Sequence, residues 1–255
     1  MDVGRIIAGA DSHFIFVKIL VTADLHYALK QFDWLTAQSG DFDLIILAGD
    51  MLDIAGFLDL DTQIVVVERY FARLAENVPL IVCSGNHDGD VKNENDEYEA
   101  VWLKKAKVDG MIVDGDGLAL DDFYISVCPW WDGPKSEIEV RDLLKSHAQL
   151  KKSKWIWVYH SPPFESPTAW TGRQDAGDRT LRELIEQYAP DIVFSGHIHN
   201  SPFRSGGSWN DRIGRTWVFN AGRQIGEVPA HLIVDLEAGT VDYWSLAGEE
   251  CVTLG

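Results

Sequence analysis

The sequence predicts an α/β protein. Short apolar runs alternate along the chain with longer amphipathic stretches, and several of the apolar runs end in polar or metal-binding residues. This alternation is typical of layered α/β folds, which place their ligand crevices at the carboxyl ends of the strands. With 255 residues, 46% of them hydrophobic, the chain can bury a large core, and we expect a single domain over residues 1–255.

Five apolar runs are predicted as strands that carry functional residues at their ends. They are FIFVKILV, which precedes Asp24, FDLIILAGD, which ends at Asp50, VPLIVCSGNHD, which ends at Asp88, WIWVYH, which ends at His160, and DIVFSGHIH, which ends at His199. Helical patterns lie between and beside them, at residues 25–37, 60–76, 96–108, 134–150 and 178–188. The chain therefore repeats strand and helix at least as far as Asn200.

The last quarter of the chain has a different pattern. RIGRTWVFNAG, AHLIVDLEAG and TVDYWSLAG are short alternating runs bounded by glycines, which predicts antiparallel strands packed against the core. Residues 89–99 are polar and acidic and are predicted to form a loop.

Composition limits the possible partners. The 22 basic and 40 acidic residues give a net charge of −18, which disfavours a generic grip on a nucleic-acid backbone. The three cysteines form no CxxC pair and are too few for a disulfide framework. Since no apolar run approaches the length of a bilayer span, we expect a cytoplasmic protein without a membrane partner.

One pattern occurs twice, as Asp11-Ser12-His13 and as Asp24-Leu25-His26. An aspartate and a histidine two residues apart can share a face of extended chain and reach one metal ion. The first pair precedes the predicted strand at Phe14–Val21 and the second follows it, so the two pairs lie at opposite ends of one strand. The other strand-end residues lie at the carboxyl ends of their strands, as Asp24 and His26 do, so Asp24 and His26 are the predicted ligands. Asp11 and His13 are predicted to form an N-terminal turn.

The ordered motifs resemble the calcineurin-like metallophosphoesterase superfamily from about Phe14 to Gly222. They are Asp24-Leu25-His26, Gly49-Asp50-Met51-Leu52-Asp53, Gly85-Asn86-His87-Asp88, the isolated His160 and Gly196-His197-Ile198-His199. Each motif alone is weak, but five in this order at strand ends are specific. The resemblance implies a four-layer α-β-β-α sandwich of two mostly mixed sheets and a dinuclear-metal-dependent hydrolase of phosphate esters.

The resemblance also implies the ligand sets of two metal ions. One ion would take Asp24, His26, Asp50 and His199, and the other Asp50, Asn86, His160 and His197. Two ions roughly 3.5–4 Å apart need a bridging ligand, which a carboxylate such as Asp50 provides, and a hydroxide between them is a nucleophile for in-line attack on phosphorus. These ligand types suit Mn²⁺, Fe, Zn²⁺ or Ni²⁺ alike.

By the same resemblance, His87 would stabilise the transition state or protonate the leaving oxygen, with Asp53 orienting it. The alternative for Asp53 is a helix cap at the start of the next segment. Other zinc hydrolases fit less well, because the HxHxDH of metallo-β-lactamases is absent and the HxH stands too late for an amidohydrolase barrel. A non-catalytic scaffold is disfavoured because every ligand position of the motif is kept.

Substrate choice depends on the loops above the metals. After His160, Trp170 is predicted to stack on a nucleobase or to pack the loop, and Arg173 to clamp a phosphate oxygen. Trp130 and Trp131 are candidates for another rim. The stretch from His160 to the last HxH looks most like small members that act on phosphodiesters, cyclic nucleotides included. A phosphomonoesterase remains open, a nuclease is disfavoured, and the oligomeric state is not predicted.

Overall fold

The computed structural model describes residues 18–120 and 122–255. Within them the strands are β1 Lys18–Thr22, β2 Leu44–Ala48, β3 Leu80–Cys83, β4 Val91–Lys92, β5 Tyr98–Glu99, β6 Met111–Val113, β7 Gly117–Ala119, β8 Phe123–Val127, β9 Lys154–Val158, β10 Ile192–Ser195, β11 Asn210–Ile213, β12 Thr216–Asn220, β13 His231–Asp235, β14 Thr240–Ser245 and β15 Gly248–Thr253. The helices are α1 Leu29–Gln38, α2 Leu60–Ala75, α3 Val101–Lys105, α4 Pro134–His147 and α5 Arg179–Tyr188.

The described strands form two large sheets and one small hairpin. Sheet I has the order β15-β14-β13-β1-β2-β3-β6, sheet II has the order β11-β12-β10-β9-β8-β7, and β4 pairs with β5. Strands β1, β2, β3 and β6 run parallel, whereas β13 pairs antiparallel with β1. In sheet II, β8, β9, β10 and β12 run parallel and the edge strands β7 and β11 run antiparallel to their neighbours. Both sheets are therefore mixed, as expected.

The two sheets pack face to face because side chains alternate between the faces of each strand. Ile19 and Ile46 of sheet I meet Ile156 and Phe194 of sheet II in the central core. The opposite face of sheet I is covered by α1, α2 and α3, and that of sheet II by α4 and α5. The order of helix, sheet, sheet and helix confirms the four-layer sandwich.

Most predicted elements occur, with shifted ends. The patterns at 60–76, 134–150 and 178–188 correspond to α2, α4 and α5. The pattern at 25–37 is wrong over its first turn, since α1 begins at Leu29. The pattern at 96–108 is mostly wrong, because residues 91–99 form a hairpin and only Val101–Lys105 are helical.

Some predicted features involve residues outside the described ranges, and some observed strands had not been predicted. The start of the first strand at Phe14 and the pair Asp11 and His13 lie outside the described residues. Strands β6, β7, β8 and β15 had no sequence prediction. Among the described residues, no helix combines the length and apolar character that a bilayer crossing requires.

Candidate metal centre

The carboxyl ends of the parallel strands bring the predicted ligands to one edge of the sandwich. Sheet I supplies the residues that follow β1, β2 and β3, and sheet II supplies those that follow β9 and β10. The seven side chains that meet there are Asp24, His26, Asp50, Asn86, His160, His197 and His199. This edge is where ligand crevices form in α/β sheets.

Several of these residues have left-handed backbone conformations that non-glycine residues seldom adopt. The φ angles are 57° at Asp24, 57° at Asp50 and 66° at His197. Hydrogen bonds between neighbouring strand ends hold the turns, from Asp24 N to Gly49 O at 3.0 Å and from His26 N to Asp50 O at 2.9 Å. Such backbone strain concentrates at functional sites, where the surrounding structure enforces it.

The side chains form two clusters that share Asp50. In the first, Asp24, His26, Asp50 and His199 place one ligand atom each within 4.8 Å of the others, and His160, His197 and Asp50 do the same in the second. Asn86 extends the second cluster, with its Oδ1 at 2.8 Å from His197 Nδ1. A carboxylate common to both clusters is what a bridged pair of cations requires.

The contacts of His160 test whether a cation fits. Its Nδ1 donates to Ala48 O at 2.8 Å, which leaves a lone pair on Nε2. That Nε2 is buried, has no hydrogen-bond partner within the described part of the chain, and lies 3.2 Å from Asp50 Oδ2. Two acceptors face each other here, so a proton or a cation must lie between them. The donor set therefore fits a metal ion.

The charges of the site point the same way. Burial lowers the pKa of His160, but the negative charges of Asp50 and Asp24, together with the hydrogen bond to Ala48 O, outweigh burial and raise that pKa to about 9. Burial raises the pKa of Asp24, but the neighbouring rings of His199, His26 and His160 outweigh burial and leave the pKa well below its usual range. The carboxylates thus stay ionised in a buried place and favour positive charge there.

His87 lies at the opening beside His26, with ring centroids 4.4 Å apart. Ile54 N–H donates to His87 Nδ1 at 3.3 Å, while Asp53 Oδ1 is 3.9 Å from the same nitrogen. Asp53 is therefore a close charge but not a hydrogen-bond partner. Burial lowers the pKa of His87, which keeps the imidazole neutral near pH 7.

The alternative role of Asp53 as a helix cap is wrong. Asp59 caps α2, because its side chain accepts from Thr62 N. Asp53 Oδ1 instead accepts from Ala55 N within its own loop. With His26 and His87, Asp53 also makes a third group of ligand atoms within 4.8 Å.

The two predicted substrate residues lie in the loop after β9. The indole N–H of Trp170 donates to Ser205 O at 3.1 Å, so its ring ties this loop to residues 201–207. Arg173 is exposed on the same loop. Trp130 borders the second cluster directly, since its ring centroid lies 5.4 Å from that of His197 and 5.8 Å from that of His160.

Asp88 is the residue that sequence reasoning missed. It belongs to the Gly85-Asn86-His87-Asp88 motif, yet no role was predicted for it. Its carboxylate is fully buried and accepts hydrogen bonds from backbone N–H groups of both neighbouring turns. The signal in the sequence was an acidic residue directly after two functional residues at the end of an apolar strand.

Solved structures with the same fold include one from Thermus thermophilus and one from yellow lupin. TT1561 of Thermus thermophilus superimposes with a TM-score of 0.60 at 16% identity, covering 94% of this chain and 100% of that one. Purple acid phosphatase PPD1 from yellow lupin (Lupinus luteus) superimposes with a TM-score of 0.58 at 14% identity, covering 93% of this chain and 53% of that one. At these identities the likeness concerns the fold.

Sequence comparison adds family evidence. Purple acid phosphatase 15 of Arabidopsis thaliana is 27% identical over 143 residues, which span 51% of this chain and 26% of that relative. The chain thus matches about a quarter of the relative's length. The profile of the calcineurin-like phosphoesterases matches residues 17–201, which include all seven predicted ligands. The chain belongs to the calcineurin-like phosphoesterase family.

Proposed function

We propose that this protein is a dinuclear-metal-dependent phosphohydrolase that prefers phosphodiesters, cyclic nucleotides among them. The observation that carries the proposal is the sharing of Asp50 between two clusters of buried ligand atoms. Asp24, His26, Asp50 and His199 would hold one ion, and Asp50, Asn86, His160 and His197 the other. Mn²⁺, Fe, Zn²⁺ and Ni²⁺ all suit these ligands. When bound, such ions lower the pKa of a coordinated water and withdraw charge from the phosphate.

The chain itself orients the ligands and supplies a proton. The hydrogen bond from His160 Nδ1 to Ala48 O fixes the ring so that Nε2 faces Asp50. Since Ile54 N–H occupies His87 Nδ1, the proton of the neutral His87 ring resides on Nε2. His87 would donate this proton to the leaving oxygen or hydrogen-bond to the phosphate. Trp170 and Arg173 would contact the organic part and a phosphate oxygen of the substrate.

The preference for diesters is supported by sequence pattern, and a phosphomonoesterase is a second candidate. The relative that is 27% identical is named a purple acid phosphatase, which favours the monoesterase. Both candidates use the same ligands and differ in what the loops above them accept.

The test is a substrate panel with metal-stripped protein to which Mn²⁺ is added back. We expect bis(p-nitrophenyl) phosphate and a cyclic nucleotide to be hydrolysed faster than p-nitrophenyl phosphate. The reverse ranking would establish the monoesterase instead. An Asp50→Asn variant is the matched control, and hydrolysis by this variant at the wild-type rate would reject the proposed centre.

A further inference from the structure

Asp88 connects two turns that carry proposed ligands. Its Oδ2 accepts from Asp50 N and from Gly85 N, both at 2.8 Å. Its Oδ1 accepts from Met51 N at 2.9 Å and from Leu52 N at 3.0 Å. Three of the four amides belong to the turn after β2, and the fourth belongs to the turn after β3.

The turn after β2 needs such a partner. Asp50 is left-handed with φ 57°, and the three successive N–H groups at residues 50–52 donate to the two oxygens of one carboxyl group. Convergent backbone amides form a concave anion-binding nest. Here the acceptor is a side chain of the same protein, since the fully buried carboxyl group of Asp88 fills the nest.

Two further hydrogen bonds reinforce the connection. The indole N–H of Trp102 in α3 donates to Asp88 O at 2.7 Å and holds the backbone of the second turn against the helix. In the other direction, His87 N–H donates to Asp50 Oδ1 at 2.8 Å. Each turn thus binds a carboxylate of the other, and the Asp50 carboxylate is one of the proposed ligands.

We propose that Asp88 is a positioning residue that fixes Asp50 relative to Asn86 and thereby sets the affinity of the centre for its second ion. The inference rests on the ligand roles proposed above. Asp88 need not touch a metal ion, because it acts through the backbone of the residues that do. Partners of this kind, one layer behind the ligands, commonly change metal affinity by 10- to 100-fold when they are replaced.

The test compares Asp88→Asn with Asp114→Asn in metal-stripped protein titrated with Co²⁺, by calorimetry and by visible absorption. Asp114 is the matched control, because it is also buried and accepts from the backbone N–H of Ser84, yet does not bridge the two turns. The amide that Asp88→Asn introduces offers one acceptor oxygen where four N–H groups need two. For Asp88→Asn we expect about 10- to 100-fold weaker Co²⁺ binding and a changed absorption spectrum. For Asp114→Asn we expect the Co²⁺ affinity and the spectrum of the wild type.

Circular dichroism of each metal-free variant reports whether it folds. If Asp88→Asn does not fold, Trp102→Phe replaces it, since this change keeps an aromatic ring and removes the indole N–H that donates to Asp88 O. We expect about threefold weaker Co²⁺ binding. Wild-type Co²⁺ affinity and spectrum in a folded Asp88→Asn, or in the substitute Trp102→Phe, would overturn the role of Asp88. Failure of the wild-type protein to bind Co²⁺ would instead reject the metal centre itself.

Discussion

His87 is the residue whose proposed role differs most clearly from those of its neighbours. It follows Asn86 directly, but its Nδ1 is occupied by Ile54 N–H and its ring lies edge-on to His26. A neutral imidazole at the opening of a metal site can give a proton to a leaving group without holding an ion. The geometry therefore suits the proposed proton donor and distinguishes it from the proposed ligands beside it.

For His87→Asn we expect kcat to fall about 10²- to 10³-fold with the metal content unchanged, because a general acid is lost and no ligand is removed. Steady-state kinetics and elemental analysis of the same preparation measure the two quantities. Asp53→Asn is the matched comparison and should lower kcat less, because Asp53 Oδ1 is 3.9 Å from His87 Nδ1. Loss of an ion from His87→Asn would show that His87 is a ligand, with His26 and Asp53 as its partners.

Asp114 makes the stability of the protein depend on pH. Burial raises the pKa of this carboxyl to about 6, although hydrogen bonds from Ser84 partly offset burial. A folded-state pKa above the usual 3.8 means that the folded protein binds the proton more tightly than the unfolded chain. The stabilisation from protonated Asp114 is therefore complete below about pH 4 and is lost as the pH rises through about 6.

Asp114→Asn cannot ionise and keeps an acceptor for Ser84 N–H. We expect the free energy of unfolding of this variant, relative to the wild type, to increase by about 2 kcal/mol between pH 4 and pH 7. Urea denaturation of both metal-stripped proteins across this pH range measures the difference. A difference that stays constant with pH would show that folding does not raise the pKa of Asp114.

At the scale of elements, the strand ends were the most predictable part of the chain. Each run that carries a proposed ligand is largely apolar until the chain turns, so the pattern marks both the strand and the edge at which the proposed ligand lies. The helix start at Leu29 was less predictable, because Asp24, His26 and Tyr27 all have positive φ and exclude helix from that turn. Helical periodicity contains no information on such backbone angles.

Local side-chain chemistry explains the largest error. The polar segment at 89–99 folds into the β4–β5 hairpin because Asn93 Oδ1 accepts from Asn95 N and Glu97 N and closes a tight turn. The helix predicted from residue 96 therefore cannot begin until the hairpin ends. The hydrogen bonds of Asp88 could not be predicted from the sequence for a different reason, because their donors are backbone amides up to 38 residues away along the chain.

Gly196 lies where the two sheets approach each other at the site. A Cβ at this position would lie 2.5 Å from Ala23 Cβ and 2.6 Å from Asp24 Oδ2. Gly196 follows β10 of sheet II, while Ala23 and Asp24 follow β1 of sheet I. Even one methyl group must therefore push a ligand of the first cluster away from the histidines that follow Gly196.

We expect Gly196→Ala to lower the free energy of unfolding by about 1–3 kcal/mol, as overpacking does, and also to weaken metal binding. Gly40→Ala is the control, because a Cβ there meets nothing within 4 Å. Thermal unfolding and a Co²⁺ titration of both variants measure the effects. If Gly196→Ala had the stability and the Co²⁺ affinity of the wild type, the two sheets would tolerate a wider separation at this edge.

For the whole molecule, surface and site have opposite electrostatic requirements. The net charge of −18 repels anionic substrates at long range, while the clustered carboxylates of the centre favour cations and, through them, phosphate. With ions held there, attraction would be confined to their immediate surroundings. A small phosphate ester can reach such a place, whereas a nucleic-acid backbone would meet repulsion over its length.

This balance predicts how salt affects catalysis. Between about 10 and 150 mM of a non-coordinating salt, kcat/KM for an anionic diester should rise about twofold, because screening weakens the long-range repulsion more than the short-range attraction at the centre. Stopped-assay kinetics with Mn²⁺ held constant measure the change, and standards of the released product at each salt concentration show any effect of salt on the assay itself. A protein that held its substrate through a basic surface would lose affinity steeply over the same range. A steep fall in kcat/KM would therefore contradict the small-ester assignment and favour a nuclease, despite the acidic surface.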